Sequence, residues 1–275
     1  MANEASLRLA FFVGVFVLMA SLALLSLRRR QTVPKTIRWS NNLLIVALDT
    51  ALLRVAFPIL AIGLAMAVEA RGWGLFNVLD APFWLAFVAS FLLLDLAIYL
   101  QHVMFHLVPV FWRVHRMHHA DLEIDVTTGL RFHPIEILLS MAIKLGMVVL
   151  LGPPAAAVLA FEIALNATSM FNHSNVWIPA SVDRILRRFI VTPDMHRVHH
   201  SVHPEETDSN FGFNLPWWDW MFGTYRAQPR DGHLAMTIGL EQFRNRRDLW
   251  IDRMLLQPLQ PLGTGTRFEP GNDQS

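Results

Sequence analysis

Long apolar runs, separated by short polar ones, dominate the chain. Residues 9–27 (LAFFVGVFVLMASLALLSL) carry no charge, and about 20 such residues in a helix cross the hydrocarbon core of a bilayer. Residues 43–68 form a second run, interrupted only by Asp49, Arg54 and Pro58. Residues 83–101 (FWLAFVASFLLLDLAIYLQ) form a third, with Asp95 inside it. The run from 135 to 172 is too long for one crossing, and Gly152-Pro153-Pro154 would break a helix there. It reads as a hairpin, outward over 135–151 and back over 155–172. The pattern predicts an all-α integral membrane bundle of about four to five transmembrane helices.

Charge placement orients the bundle. The first run is followed by RRRQTVPKTIR, with five basic residues and no acid. A cleavable signal carries its positive charges before the apolar stretch, so the first run reads as a retained anchor. The positive-inside rule puts residues 28–38 in the cytoplasm and the N-terminus outside. Residues 69–82 then form an outer loop, and everything from His173 onward is cytoplasmic.

Composition narrows the chemistry. Hydrophobic residues make up 53% and charged residues 16% of the 275, against about 25% charged in a soluble domain. The net charge of +1 gives no general attraction to nucleic acid. There is no cysteine, which excludes disulfides, iron–sulfur clusters and thiolate metal sites within this chain. Nitrogen and oxygen would have to hold any metal.

Histidine supplies the nitrogen. Eleven of the 12 histidines lie between His102 and His203. His102 and His106 are four apart and share a helix face, with Asp95 and Tyr99 continuing the stripe. HRMHH (115–119) and HRVHH (196–200) repeat one pattern, in which the first histidine stands three and four residues before the other two. The topology delivers His102, His106, His115, His118, His119, His173, His196, His199 and His200 to the cytoplasmic face. Packed together without a metal, such imidazoles would repel on protonation and gain little as apolar filler. A metal supplies the missing favourable interaction, and so many imidazoles suit two ions rather than one. The absence of H-E-x-x-H argues against a zinc peptidase, and the absence of E-x-x-H against a carboxylate-rich di-iron bundle. A histidine-dominated di-metal centre remains, with iron as its expected metal.

The order H-x-x-x-H, H-R-x-H-H, N-H-S-N, H-R-x-H-H, then NFGFNLPWWDWMFGTY, from about Asp95 to Tyr225, resembles the fatty acid hydroxylase/sterol desaturase superfamily. The resemblance implies a membrane-embedded di-iron oxygenase that uses O₂ and outside electrons, with zinc a possible substitute in purified protein. It implies ligands at the nine histidines named above. Some relatives have a further histidine where Ser169 stands here. His133 matches an R-x-H-P seen in part of the family, and Asn210, Gly212 and Asp219 belong to its loop pattern.

The expected activity is hydroxylation or desaturation of a lipid C–H bond, with access for the lipid between spans 83–101 and 155–172. Trp217 and Trp220 are expected to anchor at the interface. Asp95, Tyr99, Asp194 and Asp219 are the candidates to act beside the metals, and Asp121 and Asp125 could also orient imidazoles. No dinucleotide fingerprint follows a strand, so electrons are expected from a separate ferredoxin, cytochrome or flavin reductase, docking near Arg184, Arg187 and Arg188. The competing readings are a metal-binding or transport protein, which needs polar groups along a transmembrane path, and a haem electron carrier, which leaves both H-x-x-H-H blocks unexplained. The expected division is a transmembrane region (1–82), a di-iron domain (83–235), and a C-terminal amphipathic segment with a loose tail after about Pro258 (236–275).

Overall fold

The computed structural model describes residues 2–263 and 268. Among them every regular element is helical, and five helices are long and apolar enough to cross a membrane. α1 (Ala2–Leu25) is the first. Pro34 starts α2 (Lys35–Ala56), and the Phe57–Leu60 break around Pro58 separates it from α3 (Ala61–Glu69). A short α4 (Leu75–Val78) leads into α5 (Phe83–Leu107). α7 (Pro134–Leu151) and α8 (Ala155–Asn172) make the expected hairpin. Gly152 ends α7 in the left-handed conformation, where glycine is strongly favoured. A Cβ on Gly74 would come within 2.3 Å of the Gly152 backbone, so the loop after α3 seats directly on the hairpin tip.

Large apolar side chains stay exposed along the spans, among them Leu9, Val17, Leu44, Leu100 and Leu150; lipid is the solvent that suits them. Between the helices the packing is specific. Phe12, Phe16 and Met19 of α1 close on Met170 and Phe171 of α8 and on Trp39 and Val46 of α2. Leu94 and Ile98 of α5 pack on Phe161 of α8.

A helical cap covers one end of the bundle. It holds α6 (Pro109–His119), α9 (Ala180–Leu186) and α10 (Pro193–His199). Four shorter helices follow: α11 (Pro204–Thr207), α12 (Trp217–Phe222), α13 (Gly232–Ala235) and α14 (Ile251–Leu256). The basic loop after α1 joins the cap: Arg28 pairs with Asp194 at 2.9 Å, and Asn175 bonds the backbone of residue 29. The basic loop and all the histidine stretches therefore share one side of the bundle.

Two boundaries differ from the hydropathy reading. α2 begins at Lys35, inside the stretch read as a loop, because its first turns belong to the cap. There Arg38 is wholly buried, forking onto Asp121 at 2.7 and 2.9 Å and bonding Asp125. Burial alone would raise the Asp121 carboxyl, but the Arg38 guanidinium overrides it and holds it down at about 2. The segment after Pro258 is also packed as far as it is described. Arg116 donates to the carbonyls of Gln257, Gln260 and Pro261. Residues 264–267 and 269–275 of the expected loose tail lie outside the described residues.

Candidate metal centre

α5 carries His102 and His106 one turn apart at its cap end. Val108 then turns the chain in extended conformation and Pro109 starts α6, so the two helices meet at a corner with their histidines inside it. Thr192 caps α10 through the Met195 N–H, with Pro193 in its first turn. That presents His196, His199 and His200 from the opposite side.

The nine imidazoles form two buried groups. His102, His106, His115, His119 and His199 make one; His118, His173, His196 and His200 make the other. Within each group the nearest ring nitrogens all lie within 4.8 Å of one another. Each five-residue motif is divided between the groups by helix geometry. The i,i+4 pair of the first motif, His115 and His119, joins the five-membered group, while His118 joins the other. In the second motif His196 and His200 join the four-membered group, while His199 crosses to the first. The groups adjoin: His119 stacks on His200 with ring centroids 4.6 Å apart.

The ring orientations show what the groups suit. Nδ1 of His102, His118, His173 and His199 points at the carbonyls of Phe211, Arg131, Ser169 and Ser209, at 2.7–3.1 Å. A carbonyl only accepts, so these rings carry their proton on Nδ1 and a lone pair on Nε2. His115 likewise donates from Nδ1 to Glu136 Oε1 at 2.7 Å, and His106 Nδ1 lies 3.2 Å from Asp208 Oδ1. Yet Nε2 of His102 and His115 are 3.2 Å apart, and Nε2 of His118 and His173 are 3.1 Å apart. Two lone pairs facing each other repel unless a cation lies between them. Nitrogens about 2.0–2.1 Å from one ion stand roughly 3.0–3.4 Å apart at ordinary coordination angles. The spacing therefore fits ligands of a shared ion.

Burial also keeps the cap imidazoles neutral, as ligands must be. It pushes His115 and His173 down to about 3, and His118, His119, His196, His199 and His200 well below their ordinary value.

The five acids and the tyrosine singled out in the sequence hold the framework instead of touching these rings. Asp95 accepts from Asn214 and Trp218, at 2.7 and 2.8 Å. Asp219 takes the N–H groups of Phe211 and Gly212 at 2.8 and 2.9 Å, together with the Thr224 hydroxyl. It thereby fixes the loop whose Phe211 carbonyl orients His102. Burial pushes the Asp219 carboxyl up to about 6. Tyr99 bonds Thr224 at 2.9 Å. Asp194 binds Arg28 and Arg197; Asp121 and Asp125 bind Arg38. The repeated arginines are fasteners too: Arg116 ties down the C-terminal segment, and Arg197 bonds Asp194 and the Ser174 carbonyl.

The carboxylates that do reach imidazoles, Glu136 and Asp208, escaped the sequence reading. Glu136 had a signal, as a lone acid at the start of an otherwise apolar span. Glu136→Leu is expected to weaken metal retention about 10–100-fold, the usual effect of removing a ligand's hydrogen-bond partner. Glu136→Gln, which keeps an acceptor, should fall between. Metal content after graded chelator exposure checks this, and unchanged retention in Glu136→Leu would refute it.

Ser169 closes the question of a tenth histidine. Its hydroxyl donates to Gly129 at 2.6 Å, and a Cβ on Gly129 would meet the Ser169 carbonyl at 2.4 Å. A tight turn occupies that space. His133 caps α7 through the Ile135 N–H, and its Nε2 faces the Leu255 carbonyl; it belongs to neither group. His203 bonds Asp231. Trp217 and Trp220 are partly exposed and stand apart from the cavity.

That cavity, about 650 Å³, reaches His102 and His115 and is otherwise largely apolar, with Phe12, Val46, Ile98, Leu130, Met141 and Phe213 on its walls. α1, α2, α5, α7 and α8 all contribute to its wall. Between spans 83–101 and 155–172, where lipid access is expected, Phe91 and Phe161 pack edge-on with 5.5 Å between centroids, while Ile98 and Leu165 of the same two spans line the cavity.

Known proteins are similar to this chain. The fatty acid hydroxylase family is matched over residues 87–224. An ornithine lipid hydroxylase of Rhizobium tropici is 30% identical over 52% of this chain and 42% of its own length. An alkylglycerol monooxygenase of Danio rerio is 31% identical over 68% and 40%. A Delta(7)-sterol-C5(6)-desaturase of Nicotiana tabacum is 26% identical over 73% of each. The matched region spans only about two fifths of the first two relatives. No solved structure matches. With half its length matched and both histidine motifs in place, the chain belongs to the fatty acid hydroxylase family.

Proposed function

We propose that the chain is a membrane oxygenase that inserts oxygen into, or desaturates, a lipid C–H bond, using O₂ and electrons from a separate protein. One observation carries the reading: two adjoining buried groups of five and four imidazoles, with an apolar cavity reaching the larger. The cavity falls within the roughly 300–1,000 Å³ usual for small-molecule sites.

His102, His106, His115, His119 and His199 would hold one iron, and His118, His173, His196 and His200 the other. Iron bound by these residues would supply the O₂ activation that an unreactive C–H bond requires. Glu136 and the carbonyls of Phe211, Arg131, Ser169 and Ser209 fix His115, His102, His118, His173 and His199 with Nε2 inward. Phe213, Phe132 and Ile98 exclude water around the lipid chain and bring it to the His102–His115 edge.

By the positive-inside rule, the basic loop beside this site supports a cytoplasmic side for it. A ferredoxin, cytochrome or flavin reductase would meet the cap there. Arg187 is not free for docking, since it is buried against Asp183, Tyr225 and Ala227; Arg184 and Arg188 remain exposed.

Lipid mass spectrometry of cells expressing the intact protein or His199→Ala tests the activity. The reading expects a lipid gaining one oxygen, or losing two hydrogens, only with the intact protein. Identical lipid profiles under iron-replete expression with a working donor would reject it.

A further inference from the structure

The family match begins at residue 87, yet α1 and α2 supply part of the cavity wall, including Phe12, Val46 and Asp49. Asp49 is 6% exposed, and its Oδ1 accepts no hydrogen bond. A carboxylate inside a transmembrane segment faces a polar partner or marks function. Two further buried oxygens on the same cavity are also without a donor: Glu136 Oε2, whose other oxygen holds His115, and Gln101 Oε1, whose amide nitrogen donates to Ser140. Asp49 and Glu136 lie within electrostatic range of each other. These three open polar atoms are all acceptors.

Of the cations on the cavity, Lys144 bonds Glu162 at 2.9 Å and Arg8 pairs with it at 3.0 Å, while Arg54 is exposed, five residues beyond Asp49 on α2. Lys144 stands eight residues along α7 from Glu136, about 12 Å at the helical rise of 1.5 Å per residue. Acceptors thus gather toward the imidazoles and the cationic pair lies deeper. Unpaired buried acceptors are costly, and a ligand that donates to them relieves the cost.

From these observations we infer that Asp49 receives a lipid hydroxyl, so that the cavity selects a long-chain alcohol over a lipid that cannot donate or that carries its own carboxylate. A fatty acid would set its anion against Asp49 and Glu136; an alcohol donates its proton to Asp49 and leaves its chain on the apolar wall. The inference rests on the oxygenase reading only in taking this cavity as the substrate site.

Equilibrium binding of tritiated hexadecanol, its methyl ether and hexadecanoic acid to the iron-loaded protein in detergent tests it without turnover. A hydrogen bond to a buried acceptor corresponds to a difference of up to about tenfold, so hexadecanol should bind about that much more tightly than the other two. Asp49→Leu should erase the preference and Asp49→Asn retain most of it, both with wild-type iron content. Equal binding of alcohol and ether to the intact protein would overturn the inference, as would a preference that survives Asp49→Leu. If Asp49→Leu fails to fold, the comparison on the intact protein decides. Alcohol selectivity without any oxygenated product would count against the oxygenase reading and leave the hydroxyl site standing.

Discussion

Arg38→Leu is expected to cost about 3–5 kcal/mol of folding stability, the range for breaking a buried ion pair. Arg38 is wholly buried between Asp121 and Asp125, themselves buried, and also bonds the Thr128 hydroxyl at 3.0 Å. Leucine would leave Asp125 buried without its cation and Asp121 with only the Arg131 guanidinium in electrostatic range. The loss is a large part of the 5–15 kcal/mol that holds a typical domain together. The effect should also reach the site, because the 121–131 loop carries the Arg131 carbonyl that orients His118. Thermal unfolding in detergent and retained yield check the prediction, and a change below about 1 kcal/mol would contradict it. Adding Asp121→Asn and Asp125→Asn should recover part of the loss, since it removes the orphaned charges.

His118→Ala and His119→Ala are expected to part company although the residues are adjacent. His118 belongs to the group of four and His119 to the group of five. Losing His118 leaves three imidazoles, and losing His119 leaves four. His118→Ala should retain about one metal ion per chain after dialysis against a mild chelator, a three-imidazole site being too open to keep its ion against competition. His119→Ala should retain closer to two, with an altered absorption spectrum. The mirror pair follows the same rule: His200→Ala should resemble His118→Ala, and His199→Ala should resemble His119→Ala. Indistinguishable metal content and spectra across all four would mean that the nine rings do not divide as described.

Much of this architecture was legible in the sequence because its signals are periodic. Apolar runs of membrane length gave the spans, Gly152-Pro153-Pro154 gave the hairpin, and lysine and arginine placement put residues 28–38 on the side of the histidines. Two centres were expected from the number of imidazoles. The allocation of His118 and His119 to different centres was not legible, because it depends on how α6 and α10 cross, and spacing within one helix says nothing of that. Nor were the ring partners. Most are backbone carbonyls, which carry no sequence signature, and Asp208 lies in a loop placed only by the tertiary fold. Asp95 and Asp219 drew attention as buried acids near the motifs. Their partners are Asn214, Trp218 and the 211–212 backbone, so they act on the rings through the loop. The α5 and α8 walls of the cavity were expected, but those from α1 and α2 were not, since both helices precede every motif.

The most direct test of the central claim is iron content together with Mössbauer and optical spectra of the protein purified from iron-supplemented cells. Two irons per chain in nitrogen-rich surroundings, without a haem band, is the result expected from five and four inward-facing imidazoles. One iron or none per chain, or two irons that persist after His106 and His196 are both replaced by alanine, would contradict it.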